Sequence, residues 1–164
     1  MNCNHEQPIV AAVDCRNGIE AETNGTLQSK KSGGYSLNTN ITIRQGNVLR
    51  RFTPMECERL QGYPDGWTDI GDWTDSRGKI HKASDTARYK ALGNSIALPP
   101  WKWVVKRLSG CYERDATMGS LFDGIGGFPF LWEAINGKDS CIWASEIEEF
   151  CIAVTKKRLG GGAQ

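Results

Sequence analysis

The chain has 164 residues, 39% of them apolar and 24% charged, the proportions of an ordinary globular domain with a core of its own. A net charge of +1 excludes nucleic-acid binding by bulk positive charge, though not by a local basic cleft. No apolar run approaches the roughly 20 residues of a membrane span, and the segment from Met1 to His5 lacks the basic and apolar regions of a signal peptide, so the expected location is the cytoplasm.

Residues 1–49 are polar and rich in Asn, Gly, Ser and Thr, and predict loops and short strands. Residues 50–110 carry three helical patterns. In the first, Thr53 stands at the cap, Pro54 at the first helical position and Glu56 three residues after the cap, a capping box with the favoured proline. Gly62 is placed to end that helix. Another helix is expected to begin near Pro99-Pro100. Trp101, Val104, Val105 and Leu108 then form one apolar stripe, which reads as core packing.

From Thr117 to Phe122 the pattern is a short apolar strand, followed by the loop Asp123-Gly124-Ile125-Gly126-Gly127 and a helix from Phe128 to Asn136 that stops at Gly137. Pro129 suits the first turn of that helix. A second strand, Cys141 to Ser145, ends at Glu146. A helix from about Glu148 to Leu159 follows, with Phe150, Ala153, Val154 and Lys157 roughly on one face. Strand, glycine loop, helix, strand and helix in succession predict an α/β fold. It is the opening of a doubly wound, Rossmann-like sheet, here partial and preceded by an irregular N-terminal segment. The expected organisation is 1–49, 50–110 and 111–164.

Six cysteines, at 3, 15, 57, 111, 141 and 151, form no C-x-x-C pair. Their scatter points to reduced thiols rather than a disulfide framework or a zinc site. Cys3 and His5 form a lone close pair where structural zinc wants four ligands, so no metal site is expected.

A glycine loop between strand and helix lets the backbone approach a ligand, and an acid about 20 residues on can accept hydrogen bonds from ribose hydroxyls. Gly127 and Glu146 are 19 positions apart. The dinucleotide pattern would need glycine at 129, where this chain has Pro129, and no triphosphate loop is present. A nucleoside ligand without phosphates remains, and S-adenosylmethionine fits. Glu146 would take its ribose, and Phe122 would face its adenosine or its cationic sulfur. The alternative is a tight turn closing a strand–helix unit with no ligand.

The same residues carry a family resemblance. Gly119-Ser120-Leu121-Phe122-Asp123-Gly124-Ile125-Gly126-Gly127-Phe128 resembles the first conserved motif of DNA cytosine-5 methyltransferases, and Trp143-Ala144-Ser145-Glu146-Ile147 their second. The run from Arg51 to Pro64 is similar to their ninth motif, and Arg88 to Ile96 to their tenth. Gly25-Thr26-Leu27 through Gly33-Gly34 is similar to the end of a target-recognition region. The resemblance implies one S-adenosylmethionine pocket built from Phe122, Asp123, Gly124, Gly126, Gly127, Glu146, Asn94 and Ser95, with Ile147 flanking the adenine. It implies duplex DNA as partner, with Lys30, Lys31, Arg44 and Arg50 as candidate phosphate contacts, and Arg51, Glu56 and Arg59 as scaffold.

The departures from the family pattern are equally definite. Family chemistry needs a cysteine thiolate to attack C6 of a flipped cytosine, and that nucleophile sits in a Pro-Cys pair. None of the six prolines here is followed by cysteine, and no glutamate precedes an asparagine as in the family's Glu-Asn-Val motif. Cys57 lies between Glu56 and Glu58, acids that raise a thiol pKa. No catalytic residue is therefore expected in this chain. The ninth and tenth motifs also precede the first and second, the reverse of the usual order, so the chain reads as permuted, split or truncated, ending after Leu159 before a third strand or a catalytic loop. Three readings stay open. The chain is one component of an enzyme completed by a second polypeptide, a binding module for S-adenosylmethionine or DNA without catalysis, or an inactive remnant. The strand from Cys141 to Ser145 is expected to leave an edge unpaired, for a partner or for self-association.

Overall fold

A computed structural model describes residues 10–14, 19–21, 42–45, 48–113 and 115–160, with side chains from Arg50 onward. The N-terminal stretch contributes four short strands, β1 (Val10–Asp14), β2 (Ile19–Ala21), β3 (Thr42–Gln45) and β4 (Val48–Arg51). They form an antiparallel sheet in the order β2-β1-β3-β4, in keeping with the expectation of short strands.

Helix α1 (Pro54–Gln61) forms as its capping box dictates. The Thr53 hydroxyl accepts from the Glu56 N–H at 3.2 Å, and the Glu56 carboxylate accepts from the Thr53 N–H at 2.8 Å. Gly62 closes the helix in the left-handed conformation, φ 81°. A small hairpin, β5 (Trp73–Thr74) with β6 (Ile80–His81), stacks Trp73 on His81 at 4.3 Å. Helices α2 (Asp85–Gly93) and α3 (Leu98–Ser109) follow, the latter with Pro99 and Pro100 in its first turn.

The C-terminal third is β7 (Met118–Leu121), α4 (Gly127–Asn136), β8 (Cys141–Ser145) and α5 (Glu149–Leu159), with β7 and β8 parallel. The strand expected from Thr117 to Phe122 is shorter at both ends. Phe122 has φ 54°, a left-handed conformation incompatible with a continuing strand. Together these elements make a mixed α/β structure of small parallel and antiparallel sheets. Among the described residues no helix is long and apolar enough to cross a membrane.

One core joins the middle of the chain to its C-terminal third. Phe52, Tyr63, Trp67, Ile70, Leu92 and Leu98 pack with Ile125, Leu131, Phe150 and Val154. A smaller cluster of Val105, Ala116 and Trp132 seats α3 on α4. The stripe expected to bury α3 does so only at Val105, whereas Trp101, Val104 and Leu108 are each more than 40% exposed. The reason is that, among the described residues, α4 is the main element packed against α3. Trp101 reaches no further than an edge-on contact with Phe128, and the neighbouring Trp103 lies beneath the Arg107 guanidinium.

Polar ties reinforce the same seam. Arg158 of α5 donates to the carbonyls of Trp67 and Asp69, at 2.8 and 2.9 Å, and to that of Gly66. Lys157 donates to Ile70 O at 2.9 Å. The fully buried Glu58 accepts from the N–H groups of Gly66 and Thr68, from the Thr68 hydroxyl, and from Arg88 at 3.3 Å. A buried carboxylate with this many donors is compensated, and it fixes the turn that supports Trp67.

Candidate cofactor site

The loop between β7 and α4 carries Phe122, Asp123, Gly124, Gly126 and Gly127, and the acid Glu146 lies immediately after β8. The parallel register sets Leu121 opposite Ser145, which brings the two strand ends together. Glu146 then locks onto the loop. One carboxylate oxygen accepts from Gly124 N–H at 2.5 Å, and the other accepts from Ile147 N–H at 2.7 Å and Glu148 N–H at 2.9 Å. Burial pushes the Glu146 pKa upward, but the N–H donors of Glu148, Gly124 and Ile147 outweigh it and hold the carboxyl below its ordinary range. It is an anion that retains lone pairs for an incoming hydroxyl.

Phe122, two residues before Gly124, and Ile147, the residue after the acid, are each 83% exposed. Apolar side chains left in water beside a fixed anion suit an amphipathic ligand. Gly124, φ 58°, has open space where a side chain would project. Gly127 is glycine for another reason: a Cβ there would come within 2.5 Å of the Tyr63 hydroxyl.

That close approach carries the third part of the site. Tyr63, buried, shares a 2.6 Å hydrogen bond with the Ser95 hydroxyl, so the turn after α2 is held against the start of α4. Burial raises the Tyr63 pKa to about 12, against the opposing hydrogen bond from Ser95, and the phenol stays neutral. Trp67 donates its indole N–H to Ile125 O at 2.8 Å, inside the glycine loop. Lys90 of α2 pairs with Glu148 at 2.7 Å, two residues past the acid. Asn94 is the exposed C-cap of α2.

The residues of the four motifs therefore gather in one region. Tyr63 and Trp67 were not singled out from the sequence. Both belong to or adjoin the ninth-motif segment, and an aromatic residue that carries a hydrogen-bonding group beside a helix-ending glycine was the available signal.

Asp123 differs from its neighbours. It is 6% exposed, and its Oδ1 accepts from the Ser120 hydroxyl at 2.7 Å while Oδ2 has no partner. Burial raises its pKa to about 6, the Ser120 hydrogen bond opposing and the charge of Glu146 adding to the rise. With Ser145 and Glu146 it lines a cavity of about 620 Å³ bordered by residues of α4, β8 and α5.

The cysteines within the described residues include no activated thiol in the core. Cys57 is pushed up to about 11, first by burial and then by Glu56 and Glu58, and Cys151 up to about 12, chiefly by burial. Cys3, Cys15 and His5 lie outside the described residues. Of the candidate phosphate contacts, Lys30, Lys31 and the side chain of Arg44 lie outside them too. Arg50 grips both oxygens of Glu56, at 2.7 and 2.8 Å, which makes it a brace between β4 and α1.

A family model of the C-5 cytosine-specific DNA methylases matches residues 4–110. Among curated relatives, the chain is 39% identical over 99 residues to a DNA N-6-adenine-methyltransferase of Escherichia phage P1, covering 46% of this chain and 13% of that protein. It is 39% identical over 68 residues to the type II methyltransferase M.BanI of Aneurinibacillus aneurinilyticus, covering 42% of this chain and 13% of that one. With M.HpaII of Haemophilus parainfluenzae it shares 32% identity over 69 residues, 40% of this chain and 16% of that relative. The chain thus spans less than a fifth of the length of each of these three. On the extent of the family match, this chain belongs to the C-5 cytosine-specific DNA methylases.

Proposed function

We propose that this chain supplies the S-adenosylmethionine pocket of a DNA methyltransferase acting on C5 of cytosine in duplex DNA, in the cytoplasm, with the Pro-Cys nucleophile carried by a second polypeptide. The observation that carries this reading is the Glu146 carboxylate, held by three backbone N–H groups from the glycine loop and the turn after β8, with Phe122 and Ile147 of the same two segments exposed. In it, Glu146 takes the ribose hydroxyls, Phe122 and Ile147 flank the adenine, and Asn94 and Ser95 complete the polar wall. Gly124, Gly126 and Gly127 let the backbone close on the ligand, and Asp123 supports the loop from below. S-adenosylmethionine would supply the electrophilic methyl group.

The two parallel strands are, in this reading, the opening of a Rossmann-like doubly wound sheet. Residues 1–49 belong to the target-recognition region, 50–110 carry the ninth- and tenth-motif helices, and 111–164 form the opening of the cofactor sheet. Lys30, Lys31 and Arg44 are the favoured phosphate contacts. Arg50 joins them only by leaving Glu56.

Titration calorimetry with S-adenosylmethionine tests the pocket. Glu146→Ala and Glu146→Gln are expected to weaken binding by about tenfold or more, the scale of one lost charge-assisted hydrogen bond. Unchanged heat in both variants rules the pocket out. With tritiated cofactor and mixed-sequence duplex, the chain alone is expected to transfer no methyl group. Transfer that disappears in Cys57→Ser would make Cys57 the nucleophile and overturn the two-polypeptide reading.

A further inference from the structure

Tyr63 sits between the two arms of the cofactor site without belonging to either. It follows Gly62, the left-handed residue that closes α1, and its side chain is 3% exposed with the Trp67 ring 5.6 Å away. Trp67 in turn holds the glycine loop through Ile125 O. The Tyr63 hydroxyl lies so close to the start of α4 that only glycine fits at 127, and Ile96 and Leu98 crowd the same point, each 3.2 Å from where a Cβ would stand. The hydroxyl is thus confined among apolar groups.

The 2.6 Å hydrogen bond between Tyr63 and Ser95 holds one proton, which either oxygen could supply. Burial decides between them. Among the described residues Ser95 Oγ is the sole hydrogen-bond partner of the Tyr63 hydroxyl. Were Ser95 the donor, the phenolic proton would be buried without an acceptor, the more costly arrangement. Tyr63 therefore donates and Ser95 accepts. Ser95 is only half-buried, and its own proton then has no acceptor among the described residues. That proton is left for a ligand that brings one. Glu146, an anion, suits ligand hydroxyls, whereas a free O–H suits the opposite kind of group. S-adenosylmethionine has a single anionic group, the carboxylate of its amino-acid end.

We propose that Tyr63 is a positioning residue of the cofactor site: its hydroxyl donates to Ser95 and so commits the Ser95 proton to the carboxylate of S-adenosylmethionine. The inference rests on the reading of the pocket as one for that cofactor. Tyr63 acts through Ser95 alone and takes no part in chemistry.

The test is titration calorimetry of the full chain with S-adenosylmethionine and with decarboxylated S-adenosylmethionine, which lacks only the carboxylate. Ser95→Ala is expected to weaken binding of the first by about tenfold, the scale of one charge-assisted hydrogen bond, and Tyr63→Phe by about fivefold. Binding of the second should change by less than about twofold in either variant. The double variant should bind S-adenosylmethionine no more weakly than Ser95→Ala, since both changes act on one hydroxyl. Equal losses for both ligands in Tyr63→Phe, following a lowered melting temperature, would reduce the hydroxyl to a structural prop and overturn the proposal. Unchanged affinity for S-adenosylmethionine in Tyr63→Phe, or additive losses in the double variant, would overturn it too. Glu146→Ala separates this inference from the pocket itself, because both ligands carry the ribose and both should weaken. If neither does, the pocket falls and the role of Tyr63 with it. If both weaken while Tyr63→Phe weakens neither, the pocket stands and only the role of Tyr63 fails.

Discussion

Asp123 sets burial against charge. With its pKa raised to about 6 from an unfolded value of 3.8, the folded state holds a proton that the unfolded chain has already lost. Folding stability contributed by this group is therefore complete below about pH 4 and is lost as pH rises through 6. Two units of pKa amount to about 3 kcal/mol. Asp123→Asn, which mimics the protonated form, is expected to raise the melting temperature above pH 7 and leave it nearly unchanged at pH 4. Melts in a pH series check this, and a variant less stable than wild type at pH 8 would count against it. The sequence places Asp123 in the glycine loop but does not reveal its burial. That Phe122 would stay in water while its neighbour turned inward depends on Phe122 adopting φ 54°, which spacing alone does not reveal.

At the scale of elements, legibility follows how local the determining interactions are. Every group that makes the α1 capping box lies within four residues, and that helix starts and stops where its sequence predicts. The α3 stripe is equally regular, but burial needs a second surface, and only Val105 finds one. The link from Ser95 to Tyr63 spans 32 positions and had no local signature. The capping box also yields a prediction. Glu56 is held down to about 2, first by the Arg50 hydrogen bond, with burial opposing and Thr53 assisting. Its contribution is thus present above about pH 4.5 and fades as pH falls toward 2. Glu56→Ala is expected to cost about 1–2 kcal/mol at neutral pH, as lost caps do. The gap from wild type should narrow in urea titrations approaching pH 2, and a gap independent of pH would separate the cap from the ion pair.

Across the whole molecule, the reversed motif order leaves the packing coherent. Residues before Gly110 and after Met118 share one core, and α5 reaches back to the 66–70 turn through Arg158 and Lys157. Val154 of α5 is fully buried in that core, as is Ile125, whose carbonyl holds the Trp67 indole. Shared burial of this kind makes the two stretches fold as a unit, since neither completes its apolar cluster alone. Calorimetry and the near-ultraviolet tryptophan signal are therefore expected to report one coincident transition. Arg158→Ala removes charge-assisted bonds to three carbonyls. It should lower stability by about 2–3 kcal/mol and shift that transition without dividing it. A biphasic melt, with the Trp67 environment lost before the helix signal, would mean that the 50–110 stretch and the β7–β8 unit are separable and joined only at their surface.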